Sequence, residues 1–195
     1  MKNQYLLFIS TLLFIIFSSF SNDKVVNDFC LRNIDGKMVS SKAYKNAKGL
    51  IVVFTCNHCP FAKLYTKRLN DLNTKFSKLH VPLIAINSMD TLIYEDETFE
   101  LMQKRSKQEK YNFPYLQDGS QTVGKQFKAE YTPTAFVIWK INNKWVIKYK
   151  GAIDDNGEKP KIAISYISKM VNELLLNKNV STTVTASFGC KIFYR

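Results

Sequence analysis

Leu50-Ile51-Val52-Val53-Phe54 is an apolar run without a polar break, and Thr55-Cys56-Asn57-His58-Cys59-Pro60 follows it directly. A run this short and β-branched reads as a strand buried on both faces. Pro60 suits the first turn of a helix, where its missing N–H costs nothing. Phe61, Tyr65, Leu69, Leu72 and Phe76 then recur at spacings of three and four, so one helical face is apolar to about Lys78. Leu83-Ile84-Ala85-Ile86-Asn87 is a second buried strand. Strand, helix and strand in so short a span predict a βαβ unit, with parallel pairing and a right-handed crossover. Two cysteines therefore stand where a central strand hands over to a helix.

The flanking segments extend this unit. Val25 to Gly36 reads as extended chain ending in a turn at Asp35-Gly36. Residues 88–131 read as an insertion, with a charged helix over Glu95–Lys110 carrying Phe99 and Met102, and a short helix over Gln121–Lys128. After Thr132-Pro133, the runs Ala135–Trp139 and Trp145–Tyr149 flank Asn142-Asn143 and predict an antiparallel hairpin. Ile162–Leu176 has the apolar spacing of an amphipathic helix, whereas residues 177–195 have no period. The order β-α-β, insertion, β-β, α is that of the thioredoxin fold. The expected class is α/β, a central mixed sheet flanked by helices, with a helical insertion before the strand that Pro133 opens.

The N-terminus reads as a targeting segment. Lys2 is the only charge before Asp23, Tyr5–Phe17 is apolar apart from Ser10 and Thr11, and Ser18-Ser19-Phe20-Ser21 offers small residues for cleavage. Residues 1–21 are expected to be a signal peptide, with a retained anchor as the alternative; a full span needs about 20 apolar residues. The mature chain, 22–195, then forms one domain in a periplasmic or other extracytoplasmic compartment where disulfides persist. Membrane attachment is expected only through an uncleaved N-terminus. The net charge of +12 comes from 28 basic and 16 acidic residues. These are interspersed rather than clustered, so a solvated lysine-rich surface is expected and no nucleic-acid partner.

The chemistry expected at the turn is thiol–disulfide exchange. A thiol at a helix N-terminus meets unpaired N–H groups and the positive end of the helix dipole, which favour the thiolate. Cys56 is then poised to attack a disulfide, and Cys59, one turn on, to resolve the mixed disulfide. His58 lies inside the loop and is a candidate for tuning the Cys56 pKa; an exposed turn histidine without that role is the alternative. A structural zinc site needs more ligands, and Cys30, His80 and Cys190 are isolated in sequence, so neither metal nor cofactor is expected. Cys30 reads as a small buried hydrophobe or a reactive thiol. Cys190 is an additional thiol for which resolving, regulating and pairing with Cys30 all stay open. Thr132 is biased to extended geometry by Pro133, and the bond between them has the cis form within reach.

The segment from Phe54 to Ala62, with Cys56-Asn57-His58-Cys59-Pro60 at its centre, resembles a thioredoxin-like branch of the AhpC/TSA (redoxin) superfamily. Matches follow in order at Ala85–Asn87, Phe113–Asp118, Tyr131–Pro133, Gly151–Asn156 and Gly189–Ile192. The resemblance implies a thioredoxin fold, Cys56 as nucleophile, Cys59 as resolving thiol, and Pro133 as a cis-proline presenting backbone to a substrate chain beside Thr132. Two positions depart from the pattern: Thr55 stands where thioredoxins carry Trp, and Tyr131 where relatives of the branch often carry Cys. The peroxiredoxin pattern, with Thr three residues before the peroxidatic cysteine, is absent, since Val53 and Cys56 occupy those places. The leading expectation is an exported oxidoreductase acting on protein or small-molecule disulfides, with a thiol electron donor or acceptor as redox partner. A thiol-dependent peroxidase, and a non-enzymatic binding or metal-carrier protein, are the alternatives.

Overall fold

The computed structural model describes residues 24–195; the expected signal peptide lies outside them. The strands are β1 (Val25–Val26), β2 (Cys30–Asn33), β3 (Met38–Ser40), β4 (Gly49–Phe54), β5 (Leu83–Asn87), β6 (Tyr115–Gln117), β7 (Tyr131–Thr132), β8 (Thr134–Ile141), β9 (Lys144–Gly151) and β10 (Cys190–Lys191). The helices are α1 (Pro60–Lys63), α2 (Thr66–Phe76), α3 (Phe99–Gln108), α4 (Thr122–Phe127) and α5 (Tyr166–Leu175). Among the described residues one sheet runs in the order β1-β9-β8-β4-β5-β6-β2-β3, and β10 pairs with β7 apart from it. The β4–β5 and β5–β6 pairs are parallel, and the sheet's other pairs are antiparallel. This is the thioredoxin-like mixed sheet, flanked by helices.

The central strand is buried on both faces, as its unbroken run predicts. Leu50, Val52 and Phe54 point into one core with Phe127, Phe136, Ile138 and Trp145. Ile51 and Val53 point into the other, against Leu69, Leu72 and Phe76 of α2 and Ile167, Met170 and Val171 of α5. The hairpin forms through Asn142 and Asn143, both at positive φ (49° and 61°). Two left-handed residues make the tight turn whose twist matches the strands, and asparagine tolerates that conformation well.

Three expectations need correction. The segment 88–131 carries two helices before Pro133, but it is no mere insertion: β6 within it extends the sheet in parallel with β5, pairing Tyr115 with Ala85. The helix after Pro60 is broken at Leu64–Tyr65. There the N–H groups of Leu64 and Tyr65 bond to Phe61 and Ala62, a tightened turn, and the Leu64 carbonyl accepts from the Arg68 guanidinium at 3.2 Å. The last helix starts at Tyr166, not Ile162, because Ser165 caps it through the Ser168 N–H and Asp155 Oδ1 holds the Ile164 N–H outside it. Cys30, for its part, is exposed on β2.

The break in the helix is held by a buried carboxylate. Asp154, 4% exposed, pairs with Arg68 and accepts from Tyr65 Oη at 3.0 Å; Arg68 continues to the carbonyls of Asn156 and Gly157. Removing one partner strands a buried charge, which costs about 3–5 kcal/mol. Asp154→Ala is therefore expected to lower the unfolding free energy by about 3 kcal/mol in urea titrations, with the slope of the transition unchanged.

Candidate functional site

Strand β4 ends at Phe54, and the Thr55 N–H still donates to the Ile86 carbonyl of β5 at 2.9 Å. The chain then leaves the sheet between the C-terminal end of β5 and the N-terminal end of β8. Cys56 and Cys59 are both fully buried and unpaired. Pro60 opens α1 as expected, but the residue immediately before the helix is Cys59, so the thiol at the helix N-terminus is Cys59 and Cys56 lies a turn ahead of it.

Thr132, before a cis peptide bond to Pro133, brings the two sulfurs onto one residue. Its Oγ1 lies 3.0 Å from Cys56 Sγ, and its carbonyl accepts from Cys59 Sγ at 3.2 Å. The same hydroxyl donates to the Cys190 carbonyl at 3.4 Å. Strand β10 is the reason: it runs antiparallel along β7 with Cys190 directly opposite Thr132. The tail without periodicity thus ends as a strand over the dithiol, and Cys190 stands at the site rather than beside Cys30.

Beneath the turn sits Glu97, a residue the sequence did not single out. Both of its oxygens accept from the Asn57 N–H at 2.9 Å, and Oε1 also accepts from the His58 N–H at 2.8 Å. Asn87 Nδ2, at the end of β5, donates to Oε2 at 2.6 Å. His58 Nδ1 lies 2.7 Å from Oε1, and the imidazole stacks on Tyr94 with centroids 4.2 Å apart. The histidine expected to tune Cys56 is thus paired with a carboxylate. Asn57 is held further by its own Nδ2 bond to the Asp96 carbonyl (2.7 Å), by Tyr115 Oη (3.1 Å) and by Arg105, which donates to the Asn57 carbonyl at 2.6 Å. Asn87 and Tyr115 stand on β5 and β6 beside the end of β4, so strand-end position was the available signal. Glu97 lies among Glu95, Asp96 and Thr98, and nothing local marks which acid is buried.

The charge distribution follows from these contacts. The Cys56 thiol donates toward the Cys59 sulfur, which raises the Cys56 pKa; burial and the Glu97 charge raise it further. Cys59 is lowered, first by that hydrogen bond from Cys56, and then by the Cys190 thiol and the Ala62 N–H of α1. The two thiols are thus coupled, and Cys59 also donates to the Thr132 carbonyl. The N–H groups of Asn57 and His58, which would otherwise face a Cys56 anion, are committed to Glu97. Cys56, His58 and Glu97 offer donor atoms within 4.8 Å of one another. That carboxylate, however, already accepts from Asn57, His58 and Asn87, a poor starting point for a metal ligand. A groove of about 370 Å3 borders the site, with Phe61, Leu64, Pro133, Ile153 and Phe188 among its walls.

Comparison with known proteins agrees with this architecture. A hypothetical protein from Sinorhizobium meliloti is 30% identical, with 89% of this chain and 94% of that chain covered and a TM-score of 0.81. An uncharacterized conserved protein from Geobacillus kaustophilus is also 30% identical, with 89% and 92% covered and a TM-score of 0.80. A thiol-disulfide oxidoreductase from Bacteroides fragilis shares the fold at 19% identity, with 71% of this chain and 97% of that chain covered and a TM-score of 0.55. No protein of curated function matches the sequence. The sequence profile of the AhpC/TSA family matches residues 23–154, which hold the whole βαβ unit, Glu97 and the cis-proline, and the chain belongs to that family.

Proposed function

We propose that this protein is an exported thiol–disulfide oxidoreductase that cycles Cys56 and Cys59 between dithiol and disulfide. The observation that carries the reading is the pair of unbonded sulfurs on Thr132, one against its hydroxyl and one against its carbonyl, beside a cis-proline. Loss of its proton makes a thiolate of Cys56, the sulfur that the family resemblance makes the nucleophile. Cys56 then attacks one sulfur of a substrate disulfide and expels the other as a thiolate, which takes up a proton. Cys59 attacks the Cys56 sulfur of the mixed disulfide, releases the second substrate thiolate, and closes the Cys56–Cys59 bond. The protein gives up two electrons and the substrate gains them; the reverse sequence oxidises a dithiol. The groove along Phe61, Leu64 and Pro133 suits the apolar side chains of a polypeptide substrate. Export rests on the N-terminal segment of residues 1–21, which ends in the small residues a signal peptidase reads.

The Cys59→Ser variant is expected to accumulate a mixed disulfide with a model disulfide peptide on Cys56, seen as a mass adduct, whereas Cys56→Ser accumulates little. An adduct confined to Cys56→Ser would assign the attack to Cys59. Equilibration of the wild type against glutathione sets the direction. A potential of about −120 to −180 mV makes it a disulfide donor, and one near −270 mV a reductant. Failure of the pair to equilibrate reversibly would overturn the reading. Glu97→Gln, in the Cys59→Ser background, removes a negative charge that raises Cys56. The pH midpoint for Cys56 alkylation is then expected to fall by about one unit, as loss of a nearby like charge favours the anion.

A further inference from the structure

The dithiol as described is closed off. Neither sulfur reaches solvent, and the edge of β7 that would present backbone to a substrate is occupied by the chain's own β10. This placement is built in at several points. Gly189 has φ 147°, and a Cβ there would stand 1.9 Å from the Thr132 carbonyl oxygen, so only glycine lets the tail lie this close. Beyond it, the Ile192 N–H donates to the Glu130 carbonyl at 2.8 Å, and Gln121 bonds to Phe193 and Arg195 at 2.8 and 2.9 Å. Arg195 Nε reaches the buried Asp90 at 3.1 Å. Glycine on one side and this clamp on the other set Cys190 opposite Thr132, the residue that touches both sulfurs.

We propose that Cys190 is a third redox thiol of the site, exchanging with the Cys56–Cys59 disulfide to give a Cys59–Cys190 disulfide and so carrying oxidising equivalents to the surface. The inference rests on the dithiol reading above. In the exchange, the Cys190 sulfur loses its proton and attacks Cys59 Sγ; the Cys59–Cys190 bond forms as the Cys56–Cys59 bond breaks. Cys56 leaves with the electron pair and takes up a proton, so no outside oxidant is consumed. Cys59 is the sulfur attacked because the Cys190 thiol faces it, while Cys56 is turned to the Thr132 hydroxyl. Cys190 is half-buried, whereas the other two are enclosed, so an external thiol meets Cys190 first. Attack there expels Cys59 as the leaving thiolate, which takes up a proton. A second external thiol then frees Cys190, leaving three protein thiols and one external disulfide.

The test is disulfide mapping of the full-length protein. Trypsin leaves Cys56 and Cys59 together on peptide 49–63 and Cys190 on peptide 179–191, so the new bond appears as a cross-link between two peptides. After limited oxidation with glutathione disulfide and acid quenching, the wild type is expected to yield both the looped 49–63 peptide and the cross-link. Cys56→Ser should yield the cross-link alone, and Cys190→Ser the loop alone. Reduction of the oxidised protein by a bulky thiol should slow about tenfold in Cys190→Ser, as expected when the accessible sulfur is lost. No cross-link in either the wild type or Cys56→Ser, with Cys190→Ser reduced at the wild-type rate, would overturn the proposal. The wild-type map needs no variant to fold. Absence of the loop from Cys190→Ser would instead refute the underlying dithiol reading.

Discussion

The site depends on one buried carboxylate. Glu97 gathers the N–H groups of Asn57 and His58, the Asn87 amide and the His58 imidazole onto two oxygens. Hydrogen bonds to a charged group are worth about 1.5–3 kcal/mol each, roughly twice a neutral bond. That strength suits a turn that has left the sheet and has not yet become helix, where backbone N–H groups have no ladder partner. The same carboxylate joins the ends of β4 and β5 to the segment before α3. The cysteine loop is thereby fixed against the part of the chain that the sequence read as an insertion.

Fixing the turn this way has an electrostatic consequence. The amides that normally welcome an anion at a strand-to-helix turn are spent on Glu97, and its charge disfavours a second anion nearby. Burial and the Glu97 charge both push the Cys56 pKa up, while Cys59 sits at the start of α1. The chemistry of the pair is thus governed by the groups that hold the turn. Its reach is governed by the tail, because β10 covers the strand edge that flanks both sulfurs.

Packing explains why so small a loop can be held so firmly. Strand β4 is covered on both faces, by the core around Phe54, Phe127 and Phe136 and by the core around α2 and α5. The Arg68 guanidinium, paired with Asp154, bonds the Leu64 carbonyl where α1 gives way to α2. A straight helix from Pro60 would satisfy the same apolar periodicity, so the break belongs to tertiary contacts.

Much of the fold was legible because it rests on local pattern. The unbroken run in β4, the three-and-four spacing of α2, the Asn142-Asn143 turn and the period of α5 each follow from residues adjacent in the chain. Cys56, Cys59, Thr132 and Pro133 were legible for the same reason, as motifs at the ends of those elements. What stayed hidden depends on residues distant in sequence. Glu97 lies 40 positions from the amides it binds, β6 is too short to announce itself, and the tail has no period at all. The sequence alone determined a thioredoxin-like sheet with two thiols at the end of its central strand. Only the tertiary structure decided that Glu97 holds the turn and that Cys190 joins the two thiols, because both follow from long-range hydrogen bonds and strand pairing that no local pattern encodes.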